Sequence, residues 1–203
     1  MRAVSAKGRV FFWVTATLCV LLAIFSYRYL PMVGPLSPDI LANAFFRPWL
    51  AIHVIGAATA MLVSPLQFSA KIRARRPAVH RWTGRVYVAG CVIGGVGGLF
   101  MAVGTTAGPV AVVGFAALAV LWLGATLYAW RLAVAGRIAD HEAWMIRSWA
   151  LTLAAVTLRL YGPPLTMASL SYMDAYRATA FLSWVPNLII AELYIRSRRR
   201  NPA

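Results

Sequence analysis

The chain has 203 residues, 61% of them hydrophobic and only 12% charged, yet it carries a net charge of +15. A soluble domain has about a quarter of its residues charged. A surface this poor in charge is suited to lipid, and no stretch between apolar runs is long enough to hold a separate aqueous core. The basic excess does not indicate a nucleic-acid partner, because the Lys and Arg residues lie in short segments between apolar runs, where retention of positive loops in the cytoplasm accounts for them.

In chain order, the first uncharged run is Val10 to Tyr27, after a basic start at Arg2, Lys7 and Arg9. The Ser26-Tyr27-Arg28-Tyr29-Leu30-Pro31 segment that follows has no small-x-small cleavage pattern, so an uncleaved span is expected rather than a signal peptide. The second run is 48–70. The third and fourth share Val86 to Trp130, too long for one crossing of about 20 residues. Gly104-Thr105-Thr106-Ala107-Gly108-Pro109 divides it into spans over 86–103 and 110–130. A fifth is expected over 143–161, stopped by Gly162-Pro163-Pro164, and a sixth over 178–195. The fold expected is an all-α, polytopic transmembrane helical bundle of six spans over residues 10–27, 48–70, 86–103, 110–130, 143–161 and 178–195, forming one domain over 1–203.

Orientation follows from the basic residues. With both termini cytoplasmic, the inner segments hold 16 of the 20 Lys and Arg residues, and the outer ones hold Arg28, Arg47 and Arg177. This alternation supports an even number of spans and an inner (plasma) membrane location. Tyr27, Tyr29, Trp82, Tyr87, Trp130, Trp144, Tyr161, Tyr176 and Tyr194 lie near span ends, as interfacial anchors do. Cys19 and Cys91 fall inside apolar runs without metal-ligand spacing and read as small buried hydrophobes.

Two helical faces are polar or small-residue-rich. On the third span His80, Gly84, Tyr87, Cys91, Gly94 and Gly98 follow one another at steps of three and four. Its glycines, with Gly90, suit either a close helix–helix contact or the edge of a flat porphyrin. On the fifth, His141, Met145, Ser148, Thr152, Ala155 and Arg159 form a stripe that suits either interhelical hydrogen bonds or the lining of a pathway. His80 and His141 fall at similar depth on different helices, a spacing compatible with one b-type haem on the cytoplasmic side, with Arg81, Arg85 or Arg147 as propionate partners. His53 sits roughly 25 Å from that level at 1.5 Å rise per residue. Three histidines exclude two bis-histidine haems. His53, Arg159 and Asn187 are candidates for a separate pocket nearer the outer side, where Arg159 would favour an anionic ligand.

Several of these strings are familiar together: His53 with Gly56, Ser64-Pro65-Leu66-Gln67-Phe68, His80-Arg81-Trp82-Thr83-Gly84-Arg85-Val86-Tyr87, His141-Glu142-Ala143-Trp144-Met145-Ile146-Arg147-Ser148, Leu158-Arg159-Leu160, and Trp184 to Glu192. Over about Ala51 to Arg196 the chain resembles the bacterial membrane-protein family of domain of unknown function 2306. The resemblance implies a multi-pass membrane protein in which His53, His80, His141, Arg147 and Arg159 matter, and it carries no activity with it.

Three functions follow as expectations: electron transfer through a haem at His80 and His141; transport or sensing of a small molecule at His53, Arg159 and Asn187; or assembly of another membrane complex, with a membrane-protein partner or a second copy docking on the glycine stripe. Neither an inverted repeat nor a matched pair of interrupted helices is legible, which weakens the transporter form. Hydrolase and transferase chemistry lacks its motifs: there is no Gly-x-Ser-x-Gly, phosphate loop or His-Glu-x-x-His, and only five acidic residues. The enzyme question is left open on the side of no.

Overall fold

The structure, a computed structural model, describes residues 6–34, 36, 38–168 and 170–200. Arg2 and the side chain of Lys7 lie outside the described set. Every regular element in that set is a helix. Helix α1 (Ala6–Ser26) runs into a 3-10 turn at Tyr27–Tyr29, and α2 (Pro38–Leu41) is a single turn. Helices α3 (Phe46–Phe68), α4 (Ala70–Arg75), α5 (Pro77–Val103) and α6 (Pro109–Val134) follow. The remainder is α7 (Ile138–Thr152), α8 (Ala154–Met167), α9 (Tyr172–Leu182) and α10 (Val185–Arg200).

Five segments are long and apolar enough to cross a bilayer: Gly8–Tyr29, Phe46–Phe68, Pro77–Val103, Pro109–Val134 and Tyr172–Arg200. Their outer faces carry exposed Phe11, Leu21, Ile55, Val113, Ile190 and Leu193, as lipid contact requires. The segment expected as a fifth span over 143–161 is instead two helices, α7 and α8, meeting at Leu153. Its expected stop at Gly162-Pro163-Pro164 does not hold, since α8 continues to Met167 with both prolines inside it. The two missing proline N–H groups would have served the carbonyls of Arg159 and Leu160, near the end of the bundle, so the loss is tolerated there. The third span also starts earlier than expected, at Pro77, because proline in the first helical turn sacrifices no intrahelical bond.

Helices α3 and α5, and α6 and α7, run antiparallel. The α3–α5 pair is the tightest contact. A Cβ built on Gly56 would lie 2.1 Å from the Gly94 nitrogen, and one on Gly97 would lie 2.6 Å from the His53 nitrogen. Only glycine permits backbones this close. Between them the pair is held by Asn43, whose Nδ2 donates to the Met101 carbonyl at 2.8 Å, and at the other end by Gln67 Nε2, which donates to Thr83 Oγ1. The α6–α7 turn is closed by a left-handed Gly136 (φ 72°), with Gly136 N–H donating to Ala133 and Arg137 N–H to Leu132. Helix α7 then runs back along α6, so that Ala129 meets His141, Thr126 meets Ser148 and Trp122 meets Thr152. It lies equally antiparallel to α10, with Ala150 against Asn187, Arg147 against Glu192 and Glu142 against Arg198. The main core gathers Ala60, Tyr87, Cys91, Trp122, Ala129 and Met145, and a smaller one seats Cys19 and Ala23 of α1 against Ala58, Met61 and Val156.

The sixth expected span is also interrupted, between α9 and α10. Pro186 has no N–H for the Leu182 carbonyl, and the helix ends at that residue. The two interruptions lie side by side. Asn187 Nδ2 bridges them, within 3.2 Å of the Ala150 carbonyl, 3.1 Å of Thr157 Oγ1 and 2.9 Å of the Ser183 carbonyl. Thr157 Oγ1 also donates to the Ser183 carbonyl. Two neighbouring segments are therefore interrupted at adjoining points. The Leu153 break has no proline or glycine to announce it.

Candidate functional site

The polar side chains fall into three groups along the bundle, from the end that carries α4, the α6–α7 turn and the C-terminal arginines to the opposite end.

At the basic end, His141 Nδ1 lies 2.8 Å from the Ala129 carbonyl. A carbonyl only accepts, so this nitrogen carries a proton, and in the neutral ring Nε2 is then the acceptor. His80 stands within electrostatic range of His141, and its buried Nδ1 has no hydrogen-bond partner among the described residues. Of the arginines expected to join them, Arg147 and Arg85 are engaged elsewhere. Arg147 grips Glu192 with two nitrogens, Nη2 to Oε2 at 3.0 Å and Nε to Oε1, and its guanidinium lies over the Trp144 ring at 4.6 Å. Arg85 stacks on Trp82 at 4.8 Å, and both Arg81 and Arg85 are exposed. The porphyrin-edge reading of the glycine stripe is not met. A Cβ at Gly84 would lie 3.0 Å from Gln67 Oε1, one at Gly94 2.5 Å from the Ala57 nitrogen, and one at Gly98 2.9 Å from His53 Nδ1. Helix α3 has filled the stripe. At the level of His80, Gln67 occupies the space beside Gly84. A cleft of about 320 Å³ lies instead along α10, between Trp184 and Arg196.

In the middle sits a buried hydroxyl cluster that the separate candidate residues did not anticipate. Tyr87 OH is 2.9 Å from Ser148 Oγ and 2.8 Å from Thr152 Oγ1. Thr126 Oγ1 is 2.6 Å from Ser148 Oγ, and Trp122 Nε1 donates to Thr152 Oγ1 at 2.9 Å. The Cys91 thiol joins the same group. Tyr87, Thr126 and Ser148 are fully buried. Their signal was present in the two stripes: His80 and His141, Tyr87 and Ser148, and Cys91 and Thr152 each stand 61 positions apart, so two parallel helices bring the stripes face to face.

At the opposite end, His53 Nδ1 lies 2.8 Å from the Gly94 carbonyl. Arg159 Nη1 donates to the Ala155 carbonyl at 2.8 Å, and Nη2 reaches Ser26 Oγ at 3.4 Å. Arg159 is within electrostatic range of His53, Arg28 and Tyr29. The structure thus joins His53 to Arg159, leaves Asn187 at the helix interruptions, and adds the end of α1. Ser26 and Arg28 were hidden from the motif reading, because α1 lies outside the segment carrying the family resemblance.

An all-helical bundle with five bilayer-length apolar helices, a glycine-sealed helix pair and buried interhelical polar contacts defines a polytopic α-helical membrane protein. The family model described as a predicted membrane protein, domain of unknown function 2306, matches residues 50–195. The chain belongs to that family. No curated protein and no solved structure matches it.

Proposed function

We propose that this protein crosses the plasma membrane six times, keeps both termini in the cytoplasm, and handles a small polar solute, as a transporter or sensor, along the seam between α5 and α7–α8. The observation that carries the reading is the pair of interrupted helices bridged by Asn187 beside the buried Tyr87–Ser148–Thr152 cluster. Backbone irregularity and polar side chains at this depth are costly in lipid and are characteristic of segments that line a pathway or bind a ligand. The sixth crossing is α7–α8, which pairs residue by residue with the bilayer-length α6 and with α10.

Single cysteines placed at Ser148, Thr152 and Ala155, in a background with Cys19→Ala and Cys91→Ala, test this in intact membranes. A seam that opens reacts with a small membrane-impermeant thiosulfonate from at least one side. A seam inert from both sides, in protein that inserts normally, removes the reading.

A second reading, one b-type haem between His80 and His141, draws on the Nδ1 anchor of His141, which leaves Nε2 directed by a carbonyl, an arrangement common to metal-bound imidazoles. It requires Gln67 to leave Gly84. A Soret band in protein purified from haem-replete cells, lost in His141→Ala, would favour it; colourless protein would dispose of it.

A further inference from the structure

We propose that the corner between α4 and α5 is a binding site for the headgroups of anionic phospholipids, with Arg73 and Arg81 at its centre and Trp82 seated in the membrane interface beside them. The proposal stands independently of the solute-handling reading.

The argument starts from charge. Lys71, Arg73, Arg75, Arg76, Arg81 and Arg85 all fall within residues 71–85, a segment without an acidic residue. All six are exposed. Asp140, Glu142, Asp174 and Glu192 form their ion pairs with arginines outside this segment. The fifth acidic residue, Asp39, precedes α3, and the chain there is tied to the far end of α5 by the Ala44 N–H on the Gly104 carbonyl at 3.0 Å. Helix α5 has 27 residues, which put about 40 Å between that end and this corner. A terminal carboxylate would set one negative charge against six positive ones. Neither Arg73 nor Arg81 has a hydrogen-bond acceptor or ion-pair partner among the described residues, so both guanidinium groups keep their N–H donors. Both act electrostatically on His80, so two cations from different helices flank one point. Like charges held together repel, and an anion placed between them relieves the repulsion.

Depth selects a lipid as that anion. The corner joins α3 to α5, two helices of bilayer length, and so lies where the hydrocarbon ends. Trp82 is 65% exposed and Val79 39% exposed, both among the basic residues. Bare apolar side chains between charges suit the headgroup boundary, where an indole meets acyl chains and a guanidinium meets phosphate. Arg85 lies over the Trp82 ring at 4.8 Å, which fixes a further cation beside the ring. The backbone of the corner is braced. Ile72 N–H donates to Ser69 Oγ at 3.3 Å, Arg76 N–H to the Ile72 carbonyl at 2.8 Å, and His80 N–H to the Arg76 carbonyl at 3.1 Å. Gln67 Nε2 donates to the His80 carbonyl at 3.3 Å and ties the start of α5 to α3. The basic side chains thus project from a fixed frame, which lowers the ordering cost of binding.

The test uses the full chain purified in a neutral detergent and immobilised, with bound radiolabelled lipid as the readout. Phosphatidylglycerol is compared with phosphatidylcholine of identical acyl chains. The native protein is expected to bind phosphatidylglycerol about tenfold more tightly at low salt, and to lose most of that preference in about 0.5 M sodium chloride. Arg73→Gln combined with Arg81→Gln should reduce the preference to about twofold or less. Arg131→Gln combined with Arg196→Gln removes the same charge from exposed positions at the same end of the bundle, and should leave the preference within about twofold of native. Equal binding of the two lipids by native protein overturns the proposal. So does a preference that survives the Arg73 and Arg81 substitutions, or one that falls equally in both variants. Glycerol phosphate that displaces the labelled lipid as well as unlabelled phosphatidylglycerol does would assign the corner to a soluble anion and overturn the lipid assignment. None of these outcomes depends on whether the seam reacts with the thiosulfonate.

Discussion

Gly56 and Gly124 are the same residue type in two helices, and they should respond oppositely to substitution. A side chain on Gly56 would meet backbone atoms of Gly90 and Gly94 at 2.1 to 2.7 Å, whereas nothing lies within 4 Å of a Cβ on Gly124. Backbone atoms of a packed helix pair cannot rotate away, so Gly56→Val is expected to cost about 3 kcal/mol or prevent folding. Gly124→Ala is expected to be neutral or slightly stabilising, by at most about 1 kcal/mol from helix propensity. Unfolding midpoints in detergent check both. Tyr87 offers a milder case. Tyr87→Phe removes one hydroxyl from a cluster in which Ser148 retains Thr126 and Thr152 retains Trp122. The expected loss is about 1 kcal/mol, as for interhelical hydrogen bonds in other bundles. A loss several times larger would mean that the cluster acts as one unit.

At the level of elements, the interruptions in α7–α8 and α9–α10 are bridged by a single amide, that of Asn187. Asn187→Leu keeps the branched outline but leaves the Ala150 and Ser183 carbonyls without that donor. It should lower stability by about 1–2 kcal/mol. If the breaks serve motion, labelling of a cysteine at Thr152 should speed up in the same variant. Unchanged stability and labelling would show that Asn187 is not the bridge. Pro186 could be read from the sequence as a helix breaker, and the α9–α10 division at Ser183–Trp184 follows from it. Leu153 could not, because each of its neighbours is an ordinary helix former and the break is matched to the opposing one. Conversely, Pro163 and Pro164 signalled a stop that α8 ignores, continuing to Met167.

For the whole molecule, the charge alternation makes a sharp prediction. Reporter tags after Arg76 and at both termini should report the cytoplasm, and a tag in the Thr105–Thr106 turn should report the outer side. Termini on opposite faces would contradict six crossings. Cys19 and Cys91 are both fully buried in the bundle. Neither should react with a maleimide until the protein is unfolded, so thiol labelling gives a clean measure of global unfolding.

The membrane-crossing character, the antiparallel order of the helices and the presence of two polar faces were legible in the chain itself. Each depends on residue type and spacing along one segment, and backbone groups in lipid have no partners outside the helix. The partners of those faces were not legible. His80 and Tyr87 share a stripe, yet Tyr87 is bonded across the core while the His80 Nδ1 has no donor or acceptor among the described residues. Asn187 was expected beside Arg159 and instead ties two helix breaks, while Ser26 and Arg28 arrive from α1. Such pairings depend on the rotation and depth of each helix relative to its neighbours. In this bundle the fit of Gly56 against Gly90 and Gly94 sets how far α3 approaches α5, so only the packed structure could decide which polar groups meet.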